Sequence, residues 1–141
     1  MTLLLASDGS EGALKAARWI MEHFGPEHWQ VTVASVSRTP TVMGSPTFAT
    51  LPSYADTIED AAVQEARQAC EQTMTVLEGW HVDCTVLTGP SIADALIGYV
   101  RSHPVDAIVV GRRSHSLSRH LLGSISSELA SHSPIPVWVI P

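Results

Sequence analysis

Short apolar runs alternate with amphipathic stretches along this chain, and that alternation limits the fold more than any other feature. Thr2 to Ala6, Gln30 to Val36, Val82 to Leu87, Val105 to Val110 and Pro134 to Ile140 read as strands. Between them apolar residues recur at helical spacing, as in a helix with one buried face. Leu14, Ala17, Met21 and Phe24 mark the first such face, and Gly25-Pro26 ends it. The longest helix spans Tyr54 to Glu78, with Ile58, Ala62, Ala66, Ala69 and Val76 inward and Gly79 as its stop. A third carries Ile92, Leu96 and Val100 after the turn Gly89-Pro90-Ser91, and a fourth covers Gly123 to Ser131. Residues 37–53 hold Pro40, Gly44, Pro46 and Pro52 among Ser and Thr, which predicts a long loop.

The order β-α-β-loop-α-β-α-β-α-β predicts an α/β fold: one domain over residues 1–141, a doubly wound parallel sheet, right-handed crossovers and helices on both faces. The near-continuous apolar fourth strand predicts burial on both its faces. The prolines of the last run suit an edge strand or a strand start. In such sheets ligands bind beyond the carboxyl ends of the strands, where the strand order reverses. Ser7-Asp8 and Gly111 both lie at strand carboxyl ends. If the first and fourth strands are neighbours, they face one crevice.

The chemistry concentrates after the fourth strand. Gly111 is followed by a basic, serine-rich loop and then by Gly123-Ser124 at a helix start. The first N–H groups of a helix have no intrahelical partner, and the dipole there is positive, so the arrangement suits a phosphate. The chain has 8 Lys and Arg against 14 Asp and Glu, yet Arg112, Arg113 and Arg119 all fall in this loop. They could grip phosphates, or they could be solvated charges. Asp8 could accept hydrogen bonds from a sugar or base, or merely cap the next helix. Ser124 and Ser126 could offer hydroxyls, or Ser124 could be an ordinary cap. Ala6 and Val36 could line a pocket or fill the core.

Other classes are disfavoured. A net charge of −6 opposes non-specific nucleic-acid binding. No apolar run is long enough for a membrane span, and no signal peptide is visible. Cys70 and Cys84 lack a CxxC spacing and read as reduced, buried core residues of a cytoplasmic protein. The histidines, His115 and His120 among them, show no metal-binding spacing, so no metal ligands are assigned. Neither the dinucleotide Gly-x-Gly-x-x-Gly nor the P-loop motif is present. The loop lacks the lysine and paired acids of an efficient phosphoryl-transfer site, so no catalytic residue is assigned.

With these elements in place, the chain resembles the universal stress protein family over essentially its whole length. The resemblance rests on Leu3-Leu4-Leu5-Ala6-Ser7-Asp8-Gly9-Ser10-Glu11, Val109-Val110-Gly111, Leu121-Leu122-Gly123-Ser124-Ile125-Ser126 and the closing Pro134-Ile135-Pro136-Val137-Trp138-Val139-Ile140, in that order. It implies five parallel strands in the order 3-2-1-4-5 and a homodimer through the last strand, at Val137, Trp138 and Val139. It also implies an ATP site, with Mg or Mn. Ala6, Ser7, Asp8 and Val36 would hold the adenosine. Val110, Gly111, Arg113, Ser114 and the run Gly123, Ser124, Ile125, Ser126 would hold the phosphates.

The phosphate motif departs from the family's at two points. Its second glycine is Ser114 here, and only eight residues, 115 to 122, separate Ser114 from Gly123, one fewer than in the family. The added Cβ would cost roughly 1–2 kcal/mol where φ is positive, and the hydroxyl could bond a phosphate. Two readings follow: an ATP-binding regulatory protein with little or no turnover, or a nucleotide-free dimeric interaction module whose motif has decayed. In the second, a protein partner would meet the 37–53 loop. A slow ATP hydrolase is a third and weaker reading.

Overall fold

β1 (Thr2–Ala6) occupies the centre of a five-stranded sheet. The computed structural model describes residues 1–38, 52–89, 91–112 and 123–141, with the side chains of 38 and 52–59 left out. After β1 come α1 (Glu11–His23), β2 (Gln30–Arg38), α2 (Pro52–Val76), β3 (Val82–Gly89), α3 (Ile92–Ser102), β4 (Ala107–Gly111), α4 (Ser124–His132) and β5 (Val137–Ile140). The strands lie in the order 3-2-1-4-5 and every pairing is parallel. Leu3 stands opposite Val31 on one side and Ala107 on the other, and Ala6 opposite Ala34 and Val110. The order reverses between β1 and β4, so a crevice opens at their carboxyl ends.

Side-chain alternation along β1 divides the core in two. Leu3 and Leu5 pack with Ile20, Val33, Cys70 and Leu77 under α1 and α2. Leu4 packs with Leu96, Ile108, Val110 and Leu129 under α3 and α4. Helices therefore cover both faces, and β4 is buried from Ala107 to Val110 as its apolar run requires. Each leucine removed from water in this way contributes about 1.5–3 kcal/mol.

Several boundaries and faces differ from the sequence reading. β2 continues through Ser37 and Arg38, and β3 through Thr88 and Gly89, because these residues pair with each other across the sheet. β4 and β5 start late. The segment before β4 is tied down instead by Asp106, which accepts the Thr2 N–H at 2.6 Å. Pro136 ends the run before β5 and gives its carbonyl to Ile108. On α1 the buried face is Ala13, Ala16, Ala17 and Ile20, while Met21 is 38% exposed. On α2 it is Ala66, Ala69, Cys70 and Thr73. Cys84, read from sequence as buried, is exposed on the edge strand β3.

The rotation of α1 has a cause in its first turn. A Cβ on Gly12 would come within 2.5 Å of the Arg112 carbonyl oxygen, and one on Gly111 would meet the Gly12 carbonyl far inside contact distance. Backbone touches backbone there, so the helix presents its smallest residues to the sheet. The turn into α1 needs Gly9, whose φ of +75° lies in the left-handed region. Gly98 has no such duty: its Cβ position is open space and it is exposed within α3. Gly98→Ala should therefore stabilise the protein by about 0.5–1 kcal/mol, read as a higher urea midpoint. A lower midpoint would show a constraint at this glycine.

Candidate ligand site at the switch point

The crevice between β1 and β4 is a pocket of about 110 Å³. Ala6, Ala34, Val36, Val110 and Ile92 give it an apolar wall. Asp8, Ser10 and the first turn of α4 give it a polar end. Of the residues singled out in the sequence, Ala6, Ser7, Asp8, Val36, Val110 and Gly111 border this space, as do Gly123, Ser124, Ile125 and Ser126. Arg113 and Ser114 lie outside the described residues, as do His115, Arg119 and His120.

Sequence reasoning missed Ser10, Ala13, Ala34 and Ile92. Ala34 could have been found only from the register, which sets it beside Ala6. Ser10 had a local signal, as a serine at the start of a helix. It is the N-cap of α1 and accepts the Ala13 N–H. The capping alternative for Asp8 therefore fails. Asp8 instead accepts the Ser10 N–H through Oδ1 at 3.0 Å, which fixes the turn and leaves its carboxylate exposed at the pocket.

Ser124 is not a cap either. The N-cap of α4 is Gly123, which has no side chain to bond the helix, and the first intrahelical bond runs from Ser127 N–H to the Gly123 carbonyl. The N–H groups of Ser124, Ile125 and Ser126 thus have no acceptor within α4, and all three residues line the pocket. Ser124 is exposed and Ser126 buried. Three N–H donors at the positive end of a helix favour an anion there.

Ser7 contributes differently from its neighbours. Its hydroxyl contacts Thr73 Oγ1 at 2.6 Å, and Thr73 in turn donates to the Ala69 carbonyl at 2.8 Å. Thr73 has one hydrogen, so Ser7 must be the donor between them. Ser7 also accepts the Gly9 N–H at 3.1 Å. A relay thus runs from the β1–α1 turn into α2, and the Ser7 hydroxyl hydrogen is committed to it. Thr73→Val should cost about 1–3 kcal/mol by stranding that buried donor. The further change Ser7→Ala should then cost much less than it does alone. Urea melts of both single variants and the double check this, and strict additivity would break the relay.

Among the described residues no cluster of three His, Cys, Asp or Glu could hold a metal ion, and no helix is long and apolar enough to cross a membrane. Asp8 is the single charged residue of the described pocket lining.

A parallel sheet in this order, with a pocket at its switch point, places the molecule in the doubly wound α/β class. The chain belongs to the universal stress protein family, whose model matches residues 1–141. It is similar in structure to universal stress protein UspA from Lactobacillus plantarum, at 22% identity, with 100% of this chain and 97% of that chain covered and a TM-score of 0.75. It is also similar to the universal stress protein from Archaeoglobus fulgidus in complex with dAMP, at 18% identity, 100% and 98% coverage and a TM-score of 0.71. A universal stress protein in complex with cAMP matches at 18% identity, 100% and 97% coverage and a TM-score of 0.62. No curated protein matches the chain.

Proposed function

We propose that this protein binds an adenine nucleotide, ATP with a divalent cation such as Mg or Mn, and acts as a regulator with little or no turnover. The observation that carries the reading is the pocket itself. An apolar wall built by Ala6, Ala34, Val36, Val110 and Ile92 adjoins a helix start with three N–H groups that α4 does not use. A purine is flat and apolar on its faces, and a phosphate needs donors. One ligand satisfies both ends. Asp8 would accept from a sugar hydroxyl or the base, and Ser124 and Ser126 would add hydroxyls to the N–H donors. Ser7 would contribute through its backbone. Arg113 and Ser114 complete the phosphate side in this reading. The adenine nucleotides bound by two of the relatives support the ligand class. Little or no turnover is proposed because the sequence of the phosphate loop lacks the lysine and paired acids of an efficient phosphoryl-transfer site.

The protein would act as a homodimer of single-domain chains in the cytoplasm, joined through β5. As a sheet edge, β5 has backbone groups open to pairing. Trp138 has another duty besides: its ring stacks on Phe24 at 5.4 Å and packs near Trp19 and Trp29. Trp138→Glu would therefore damage the fold as well as the edge, and it is a poor probe of association. Sedimentation of the unaltered chain over a series of concentrations is the cleaner test; a monomer throughout the series would remove the dimer.

Native mass spectrometry of ligand-stripped protein, before and after ATP and magnesium, tests the nucleotide. ATP or ADP adducts are expected. A bare dimer at about 1 mM ATP, where even a binding free energy of about −4 kcal/mol would register, would favour the nucleotide-free interaction module. That reading has its own motive in Ser114 and the shortened loop.

A further inference from the structure

The two cysteines lie on adjacent elements, Cys70 in α2 and Cys84 in β3, and the fold brings α2 onto the strand that carries Cys84. Cys84 stands opposite Val33 in the β2–β3 register, and residues opposite one another share a face of the sheet. Val33 belongs to the core cluster that contains Cys70, so Cys84 is on the face that α2 covers. The Cys70 Sγ lies 3.2 Å from the Val33 carbonyl oxygen and 3.7 Å from that of Thr85, the residue after Cys84. Cys70 thus lies against the backbone of the residue that follows Cys84 and on the same face of the sheet as Cys84. Their environments differ sharply: Cys70 is fully buried, whereas Cys84 is exposed.

We infer that Cys70 and Cys84 form a dithiol that a hydroperoxide converts into an intramolecular disulfide joining α2 to β3. Exposure makes Cys84 the thiol that meets the oxidant. Burial first, and then the Cys84 thiol beside it, push Cys70 up to about 12, so Cys70 stays a protonated thiol and does not react by itself.

The chemistry balances in two steps. Cys84 sulfur attacks the peroxide O–O bond, takes one oxygen to become a sulfenic acid, and the other oxygen leaves as water (or as an alcohol from an organic hydroperoxide). Cys70 sulfur then attacks the Cys84 sulfur. The S–O bond breaks, and the departing hydroxide takes the Cys70 proton and leaves as a second water. Each sulfur is oxidised by one electron overall, and the peroxide is reduced by two. A dithiol reductant reverses the bridge by exchange.

Hydrogen peroxide applied to the purified full chain tests this, read by intact mass, thiol titration and peptide mapping. Both thiols should disappear with the loss of two hydrogen atoms per chain, and dithiothreitol should restore them. The oxidised chain should show a higher urea midpoint, because α2 and β3 are then joined covalently. Cys70→Ser should halt at a sulfenic acid on Cys84 that dimedone traps. Cys84→Ser should leave Cys70 unreacted. Overoxidation of Cys84 beside an intact Cys70 thiol would overturn the inference, and so would a Cys84 bridge between two chains or a pair inert to peroxide. None of these readouts depends on nucleotide binding.

Discussion

Gly111→Ala is expected to lose about 3 kcal/mol of stability, the upper part of the range for inserting a methyl into packed structure. The reason is the atom it meets. The new Cβ would collide with the carbonyl of Gly12, and it would also lie 2.9 Å from the Ala13 nitrogen. These are backbone atoms of the first turn of α1, so no flexible side chain can swing aside. The helix itself must move from the sheet, and with it Ala13, Ala16 and Ala17, all buried. Gly12→Ala should behave alike. The double variant should cost less than the sum, because one displacement relieves both clashes. Urea denaturation measures all three. A Gly111→Ala midpoint equal to the unaltered protein's would mean that the close approach is not required. From sequence, Gly111 was a glycine for phosphate approach; in the fold it also admits α1.

Ser124→Asp should weaken adenine-nucleotide binding about 100-fold while leaving the fold as stable as before or slightly more so. Ser124 is the first residue of α4, is exposed, and lines the pocket. A carboxylate in a first helical turn stabilises the helix by about 0.3–1 kcal/mol. The same charge opposes a phosphate at the N–H groups. Two like charges about 4 Å apart near a protein surface repel by about 4 kcal/mol before salt screening, and about 2.7 kcal/mol of that corresponds to 100-fold in affinity. Calorimetric titration with ATP and a urea melt of the same preparation separate the two effects. Unchanged affinity would remove the phosphates from α4, and a large loss of stability would make the binding result uninformative about charge.

Much of this molecule was legible in local pattern. Element type was legible because apolar spacing differs between a strand and a helix, and the short apolar run at Leu3, Leu4 and Leu5, closed by a turn, read as the buried strand that it is. The strand carboxyl ends were legible for the same reason, so Asp8, Gly111 and Ser124 could be nominated together. The face of α1 was not. Leu14 and Met21 are more apolar than Ala13 and Ala16, yet the alanines are buried, because the Gly12–Gly111 approach leaves room only for small side chains. The exposure of Cys84 was equally hidden. Its strand alternates in sequence, which does not say how far either face is covered; its place at the edge of the sheet uncovers it.

By itself, the order of residues determined the number of elements, their type, the family pattern and the neighbourhood of the crevice, since each depends on spacing along a few turns or a single strand. The tertiary structure decided what no local spacing contains: that Ala34 joins the wall beside Ala6, that Ser7 gives its hydroxyl to Thr73, and that Cys70 lies against Val33 and Thr85, on the face of the sheet that carries Cys84. These are contacts between distant segments. They exist only once the parallel registers and the helix rotations are set, and both are set by the packing of the whole sheet.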